Sequence, residues 1–308
     1  MEGIWTGINS VLVFVILVLP GYYSMKKGIV QTVHIDGLSK ILVTFIWPAM
    51  VIDAMISVEL TAELRHTVYD TFIICLMGYA ISAVIAFLYV RIRKIPAQRE
   101  GIVKFGLVLN NTGFIGIPLA GIVFGQEALI IASIAEVVCD SLIFTVGMMM
   151  MDYTKKGIHL DSILNPSFLS VLLGLVLLFL NPPLPVMVTR TINIMGSATT
   201  ALAMFIIGAQ LAERDLKELF AEKSCYMLSA IRLLVLPAIM YVFLFHILKH
   251  QTMADAVLVL MFAMPSASCT AIFARQYQKD YHFATNFVML TTVLSVLTIP
   301  FWLVLVTM

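Results

Sequence analysis

Two clusters of small polar side chains interrupt an otherwise apolar chain, and they carry the donors of an anion site without full charge. Asn110, Asn111 and Thr112 stand together, followed closely by Gly113, Gly116 and Pro118. Pro265, Ser266, Ser268 and Thr270 form the second cluster. Asparagine amides and serine or threonine hydroxyls donate hydrogen bonds without net charge. Helix N-termini beside them add free N–H groups and partial positive charge, which suits a carboxylate. Three ionisable residues add to this set. Glu136 and Asp140 are four apart in an apolar run, hence on one helix face, and Arg232 lies in another. Ionisable groups at bilayer depth are costly and read first as functional. The chemistry open to them is proton or cation binding, an arginine held by a carboxylate for an anion, or a structural buried pair. Asp140 falls near mid-membrane and Arg232 about two turns into its span, so a pairing of these two is expected.

The stretches that carry the polar clusters are long enough to span a bilayer. Residues 101–125 are apolar on both sides of a polar middle. In 255–280 apolar residues run to Met264, the polar cluster follows, and an apolar turn comes after it. Asn and Thr compete for backbone hydrogen bonds, Gly loosens a helix, and proline cannot donate to the carbonyl one turn back. A helix broken there exposes main-chain groups that lipid cannot satisfy, so the break must face protein or a wet cavity. Asn111 and Pro265 are separated by half of the 308-residue chain. Two broken spans in corresponding places of two halves point to a secondary-transporter site made of inverted repeats. The alternative for either stretch alone is a proline-kinked helix with a polar packing seam.

Composition supports this setting. The chain is 61% hydrophobic and 12% charged, with a mean hydropathy of +1.00, which no soluble domain of this size shows. A net charge of +1 without a basic run leaves no nucleic-acid partner. Cys75, Cys139, Cys225 and Cys269 lie in or at the ends of apolar segments without a CxxC, so they read as free thiols, with no metal site. His246 and His250 share a helix face but lack a third ligand, and read as interfacial. Met148–Met151 reads as packing bulk. No cofactor is expected. An intramembrane enzyme would need a serine elbow, an HExxH or two facing aspartates. None is present, so the chain reads as a non-enzyme.

Hydropathy places ten spans at roughly 5–24, 37–57, 69–91, 101–125, 127–151, 165–181, 188–212, 224–248, 253–275 and 282–307. The first lacks a cleavable signal pattern and reads as a retained helix. Lys26, Lys27, Arg91, Arg93, Lys94, Arg99, Lys155, Lys156, Arg214, Lys217, Lys223, Arg275 and Lys279 fall on one side. Only Arg65, Arg190 and Lys249 fall on the other, so the first side is expected to be cytoplasmic and both termini external. Five spans per half force the halves to enter from opposite faces. The expected unit is one transmembrane domain over 1–308, with repeat one about 1–152 and repeat two about 160–308. Lys40 and Lys104 read as interfacial anchors, and Asp53 as a group snorkelling outward.

The two broken stretches also carry a family resemblance. LNNTGFIGIPLAGIVFG at 109–125 is similar to the Asn-rich, Gly-Ile-Pro-Leu crossover of the auxin efflux carrier family. AMPSASCTAIFARQYQKD at 263–280, with TTVLSVLTIP at 291–300, resembles that family's second crossover and last helix. Span count and length agree over the whole chain. The resemblance implies an all-α polytopic membrane protein whose ten transmembrane helices form two inverted five-helix repeats. In the similar folds of sodium–proton antiporters and bile acid symporters, broken helices four and nine cross. Helices 3–5 and 8–10 then form a transport unit that moves, elevator-like, against scaffold helices 1, 2, 6 and 7.

Asn111 and Pro118 match the first crossover and Pro265 the second. Asn110 departs from the plant exporters, which carry proline there. The short segment 152–165 lacks the long central loop of many plant members. Both departures favour a bacterial-type permease for a small organic anion such as malate or malonate, in the plasma or inner membrane. An auxin-like aromatic acid exporter and a passive channel are the alternatives. The expected substrate-binding residues are Asn110, Asn111, Thr112, Pro118, Pro265, Ser266, Ser268 and Thr270. Glu136, Asp140 and Arg232 would serve coupling to H+ or Na+, or hold the core. Beyond the substrate and lipid, a homodimer through the scaffold helices is the one assembly this arrangement invites.

Overall fold

The computed structural model describes residues 13, 16–57, 61–151, 166–212, 222–249 and 251–307. The start of span one, segment 152–165 with Lys155 and Lys156, Arg214, Lys217, His250 and the side chain of Arg65 lie outside the described residues. Among the described residues there is no strand, and one isolated antiparallel bridge joins Asn110 to Ser266. The helices run in chain order as α1 (16–26), α2 (Thr32–Ile56), α3 (Ala62–Arg93) and α4 (Ala97–Val108). They continue as α5 (Thr112–Phe124), α6 (Gln126–Met151), α7 (Pro166–Leu180) and α8 (Val186–Ala212). The last four are α9 (Lys223–Leu248), α10 (Met253–Phe262), α11 (Cys269–Gln276) and α12 (Tyr281–Thr307). Among the described residues six helices, α2, α3, α6, α8, α9 and α12, are long and apolar enough to cross a membrane. They coincide with hydropathy spans two, three, five, seven, eight and ten. Among the described residues the chain is all-helical, and the six long apolar helices mark a multi-pass membrane protein.

Prolines shape three of these helices in the same way. A π-helical turn lies directly ahead of Pro48 (Leu42–Ile46), Pro118 (Thr112–Gly116) and Pro237 (Ile231–Val235). Proline lacks the N–H for the carbonyl four residues back and crowds it, so a widened turn relieves the clash. The carbonyl that Pro237 cannot serve belongs to Leu233. It accepts instead from the Trp302 indole N–H of α12 at 2.8 Å. A neighbouring helix thus satisfies the freed group where lipid cannot.

Helix ends follow local chemistry. The Thr61 hydroxyl accepts from the Leu64 N–H at 3.1 Å to start α3. That helix closes on Lys94 at φ 51°, with Arg91 and Arg93 in its last turn, where cations complement the helix dipole. Thr252 and Asp255 form a reciprocal cap on α10. Gly125 separates α5 from α6 at φ 81°, a conformation that side chains with a Cβ resist.

Packing sorts the helices into neighbourhoods. α2 lies against α7 and α8, while α3–α6 and α9–α12 pack among themselves. The two groups meet where α6 touches α2 and α7, and where α8 touches α5. Asp53 of α2 accepts from the Asn193 amide of α8 at 2.9 Å on an exposed edge. Lys104 pairs with Glu100 one turn back and stacks over Phe87.

A charged knot ties the start of α4 to the segment entering α12. Arg99 Nε donates to Asp280 at 2.7 Å, and Arg99 also lies 3.6 Å from Glu222 at the head of α9. Partial burial pushes the Asp280 carboxyl up. The Phe283 N–H and Arg99 outweigh that, and the carboxyl is held below the usual aspartate value. A depressed carboxyl contributes stability above its unfolded pKa and loses it as pH falls through the folded value. Asp280→Asn is therefore expected to lower the melting temperature at neutral pH by about 1–2 °C, the scale of a part-exposed pair. The gap should begin to narrow below about pH 4 and close as pH falls further, through the lower folded value. A gap unchanged by acid would show that Asp280 acts through packing rather than charge.

Candidate functional site

The helix breaks sit where the polar clusters are, and they touch. α4 ends at Val108, Leu109 is extended, and α5 begins at Thr112. α10 ends at Phe262 and α11 begins at Cys269. The two intervening segments cross antiparallel. The Asn111 N–H donates to the Pro265 carbonyl at 2.8 Å, and the Ala267 N–H donates to the Leu109 carbonyl at 3.0 Å. Chain segments that would be left without partners in lipid thus satisfy each other.

Side chains extend the crossing. The Asn110 amide donates to the Met261 carbonyl at 2.7 Å, covering an acceptor in the last turn of α10. The Asn111 amide donates to the Ser268 hydroxyl at 2.9 Å. Thr270 lies in the first turn of α11 and donates to Ala267 at 2.7 Å, with Ser266 Oγ 3.3 Å away. The backbone N–H of Ser266 donates to Thr291 of α12. Asn111 is 7% exposed, and Asn110, Thr112, Ser266 and Thr270 are more deeply buried. Asn110, Asn111, Pro265, Ser266 and Ser268 therefore meet at one point. Pro118 does not. It lies buried in the first α-helical turn of α5, beyond the π turn that absorbs it.

The charged residues divide between opposite ends of the broken helices. Glu136 of α6, 6% exposed, is hydrogen-bonded to the Thr112 hydroxyl at the start of α5. A carboxylate there complements the positive end of a helix. An added Cβ on Gly113 would lie 2.5 Å from the Trp47 ring and 2.7 Å from Glu136 Oε1. The missing side chain is what lets α2 and α6 close on this helix start. Asp140 is the electrostatic neighbour of Glu136 one turn along α6.

Arg232, fully buried, sits at the opposite helix ends. It donates to the carbonyls of Leu107 (3.0 Å), Met264 (3.0 Å) and Phe262 (3.2 Å). The expected Arg232–Asp140 pairing is thus replaced by arginine–backbone bonds. The reason is geometric. The broken helices leave main-chain oxygens in Arg232's reach, and an orphaned carbonyl at this depth is costly.

Trp47 and Trp302 take part without having been singled out in the sequence, and Thr291 enters there only as part of the 291–300 motif, with no role of its own. Nothing in their local pattern marks them, because each acts on a residue far along the chain. Asn110 Oδ1, Trp47 Nε1 and Ser133 Oγ are buried without a hydrogen-bond partner among the described residues. A cavity of about 80 Å³ borders the first turns of α5, lined in part by Val18, Ile115, Ile207, Thr292 and Ser295 from α1, α5, α8 and α12.

Comparison with known proteins gives this geometry its context. A family model described as "Membrane transport protein" matches residues 6–162 and 156–303. An uncharacterized transporter of Methanocaldococcus jannaschii is 28% identical over 305 residues, covering 96% of this chain and 97% of its own. An uncharacterized transporter of Methanothermobacter thermautotrophicus is 24% identical over 299 residues, 96% of each chain. A provisionally named malonate transporter of Rhizobium meliloti is 27% identical over 233 residues, 72% of each. With nearly its full length matched, the chain belongs to the membrane transport protein family of the auxin efflux carriers, as its two crossing motifs indicate.

Proposed function

We propose that the protein is a secondary transporter that moves a small carboxylate, of the malate or malonate class, by alternating access. The observation that carries this reading is the crossing of two helix breaks half a chain apart, with Asn111 joined to Ser268 between them. The Ser268 hydroxyl accepts from Asn111, and among the described residues its own proton has no acceptor. That leaves a donor beside the N-terminus of α11 for a carboxylate. The named malonate relative supports the substrate class.

The same reading groups α1, α2, α7 and α8 as a scaffold and α3–α6 with α9–α12 as a moving unit. The two packing neighbourhoods support that division. It further takes the ten spans as two inverted repeats within one domain, both termini outside the plasma or inner membrane, and a homodimer through the scaffold. Cysteine labelling should find residues near Lys217 cytoplasmic and those near Arg65 external. A cytoplasmic C-terminus would remove the inverted repeat.

Saturable uptake with counterflow of malate or malonate in proteoliposomes tests the function. Flux that neither saturates nor shows counterflow would make the protein a channel. Binding limited to aromatic acids in a thermal-shift panel would favour an auxin-like exporter. Coupling to H+ or Na+ is assigned to Glu136 and Asp140, which face one another beside α5. Glu136→Gln or Asp140→Asn is then expected to flatten the pH or sodium dependence of uptake. Profiles identical to wild type in both variants would place coupling elsewhere.

A further inference from the structure

Arg232 looks, in a carboxylate transporter, like the residue that would grip the substrate. Its geometry assigns it different work. Nη1 reaches the carbonyl of Leu107 in the last turn of α4, and Nη2 reaches that of Phe262, the final residue of α10. Nε reaches Met264, in the segment between α10 and α11. These acceptors lie where a broken helix leaves carbonyls without an intrahelical partner. Each helix C-terminus carries roughly half a negative charge. Two such ends converge on one guanidinium, whose single positive charge matches their sum. The planar fork can serve oxygens from both half-chains at once, which a lysine's point charge cannot.

Arg232 is itself held. It lies in the π turn of α9 ahead of Pro237, and the adjacent Leu233 carbonyl is fastened to Trp302 of α12. The guanidinium therefore links α4 and α10 to a frame formed by α9 and α12. Its side chain is fully buried, and three of its N–H groups already have backbone partners.

We propose that Arg232 is a positioning residue. It locks the two helix breaks into one rigid body, so that Asn111 and Ser268 stay in register while that body moves, and it does not contact the transported anion. The statement about register during transport rests on the carboxylate-transporter reading. The statement about rigidity does not.

The test is hydrogen exchange at the crossing, combined with malonate uptake in proteoliposomes. The Asn111 and Ala267 amides make the two backbone bonds of the crossing. In the wild type they should be among the slowest to exchange. Arg232→Lys keeps the charge and loses the fork. It should speed exchange at both amides by about tenfold, the effect of losing roughly one hydrogen bond to a charged group. Peptides of α7 and α8 should be unaffected. Maximal uptake should fall by a similar factor, with KM within about threefold of wild type, because the moving body is loosened and no ligand contact is lost. Arg232→Gln should do the same more strongly.

Fast exchange at these amides in the wild type would overturn the proposal without any variant. So would unchanged exchange in Arg232→Lys. A rise in KM of about tenfold or more at unchanged exchange would make Arg232 a substrate ligand instead. If wild-type protein neither binds nor moves malonate, the substrate reading fails, while the exchange data still decide the rigidity of the crossing.

Discussion

Asn111→Ala is expected to weaken carboxylate binding by roughly 10- to 150-fold. A hydrogen bond from a buried amide to a charged group contributes about 1.5–3 kcal/mol, which sets that range. The structure sharpens the expectation in two ways. Asn111 donates to Ser268, so the substitution also releases the hydroxyl that the amide orients. The main-chain bond from Asn111 to Pro265 does not involve the side chain and remains available in the variant. The cost in folding should therefore be smaller than the cost in binding.

Ser268→Ala is the natural companion and should produce a weaker loss, because it removes a single hydroxyl. Thr270→Val is the control. Its hydroxyl already donates to Ala267, and the side chain is fully buried, so its effect should fall on stability. Direct binding to purified variants, with melting temperature beside it, separates these outcomes. Wild-type affinity in a folded Asn111→Ala protein would make the crossing purely structural and move the search for the site elsewhere.

The largest effect on folding is expected where α1 meets α8. A Cβ added to Gly21 would fall 1.9 Å from the Phe205 carbonyl oxygen, and one added to Gly208 would fall 2.0 Å from the Val18 carbonyl oxygen. Both obstacles are backbone, so no side-chain rotation relieves them. The helices are in main-chain contact, as small residues allow in membrane proteins. Gly208→Ala should cost about 1–3 kcal/mol through overpacking, with helix propensity returning up to about 1 kcal/mol. Gly208→Leu should give no folded protein. Thermal unfolding monitored by size-exclusion chromatography in detergent measures both. Melting temperatures for Gly21→Ala and Gly208→Ala equal to wild type would mean that α1 and α8 can separate without loss.

Much of the architecture was legible in the amino-acid order because the membrane makes it a local problem. A run of some twenty apolar residues must satisfy its own backbone, and a helix does so without a neighbour. The six long apolar helices could be read that way. So could the breaks at Asn110–Asn111 and at 263–268, where amide, hydroxyl, glycine and proline chemistry weakens a helix from within. Pro118 is the instructive misfit. By type it belonged to the break, yet the helix accommodates it with a π turn and the chain opens earlier, at Leu109.

What the amino-acid order determined by itself was membrane residence, helix placement and the location of two polar interruptions, all set by interactions within a few residues. The tertiary structure decided which groups meet. Arg232 was expected to face Asp140, since both were charged and at similar depth. It binds Leu107, Phe262 and Met264 instead. Glu136 binds the hydroxyl of Thr112, and Trp47 closes over Gly113. The partners of Arg232 are main-chain oxygens at helix ends, which every break supplies, so side-chain identity cannot advertise them. Only the crossing of the two broken helices brings the unpaired carbonyls of α4 and α10 within reach of one guanidinium. The cost of leaving those carbonyls bare in a low-dielectric interior then outweighs the attraction of a distant carboxylate.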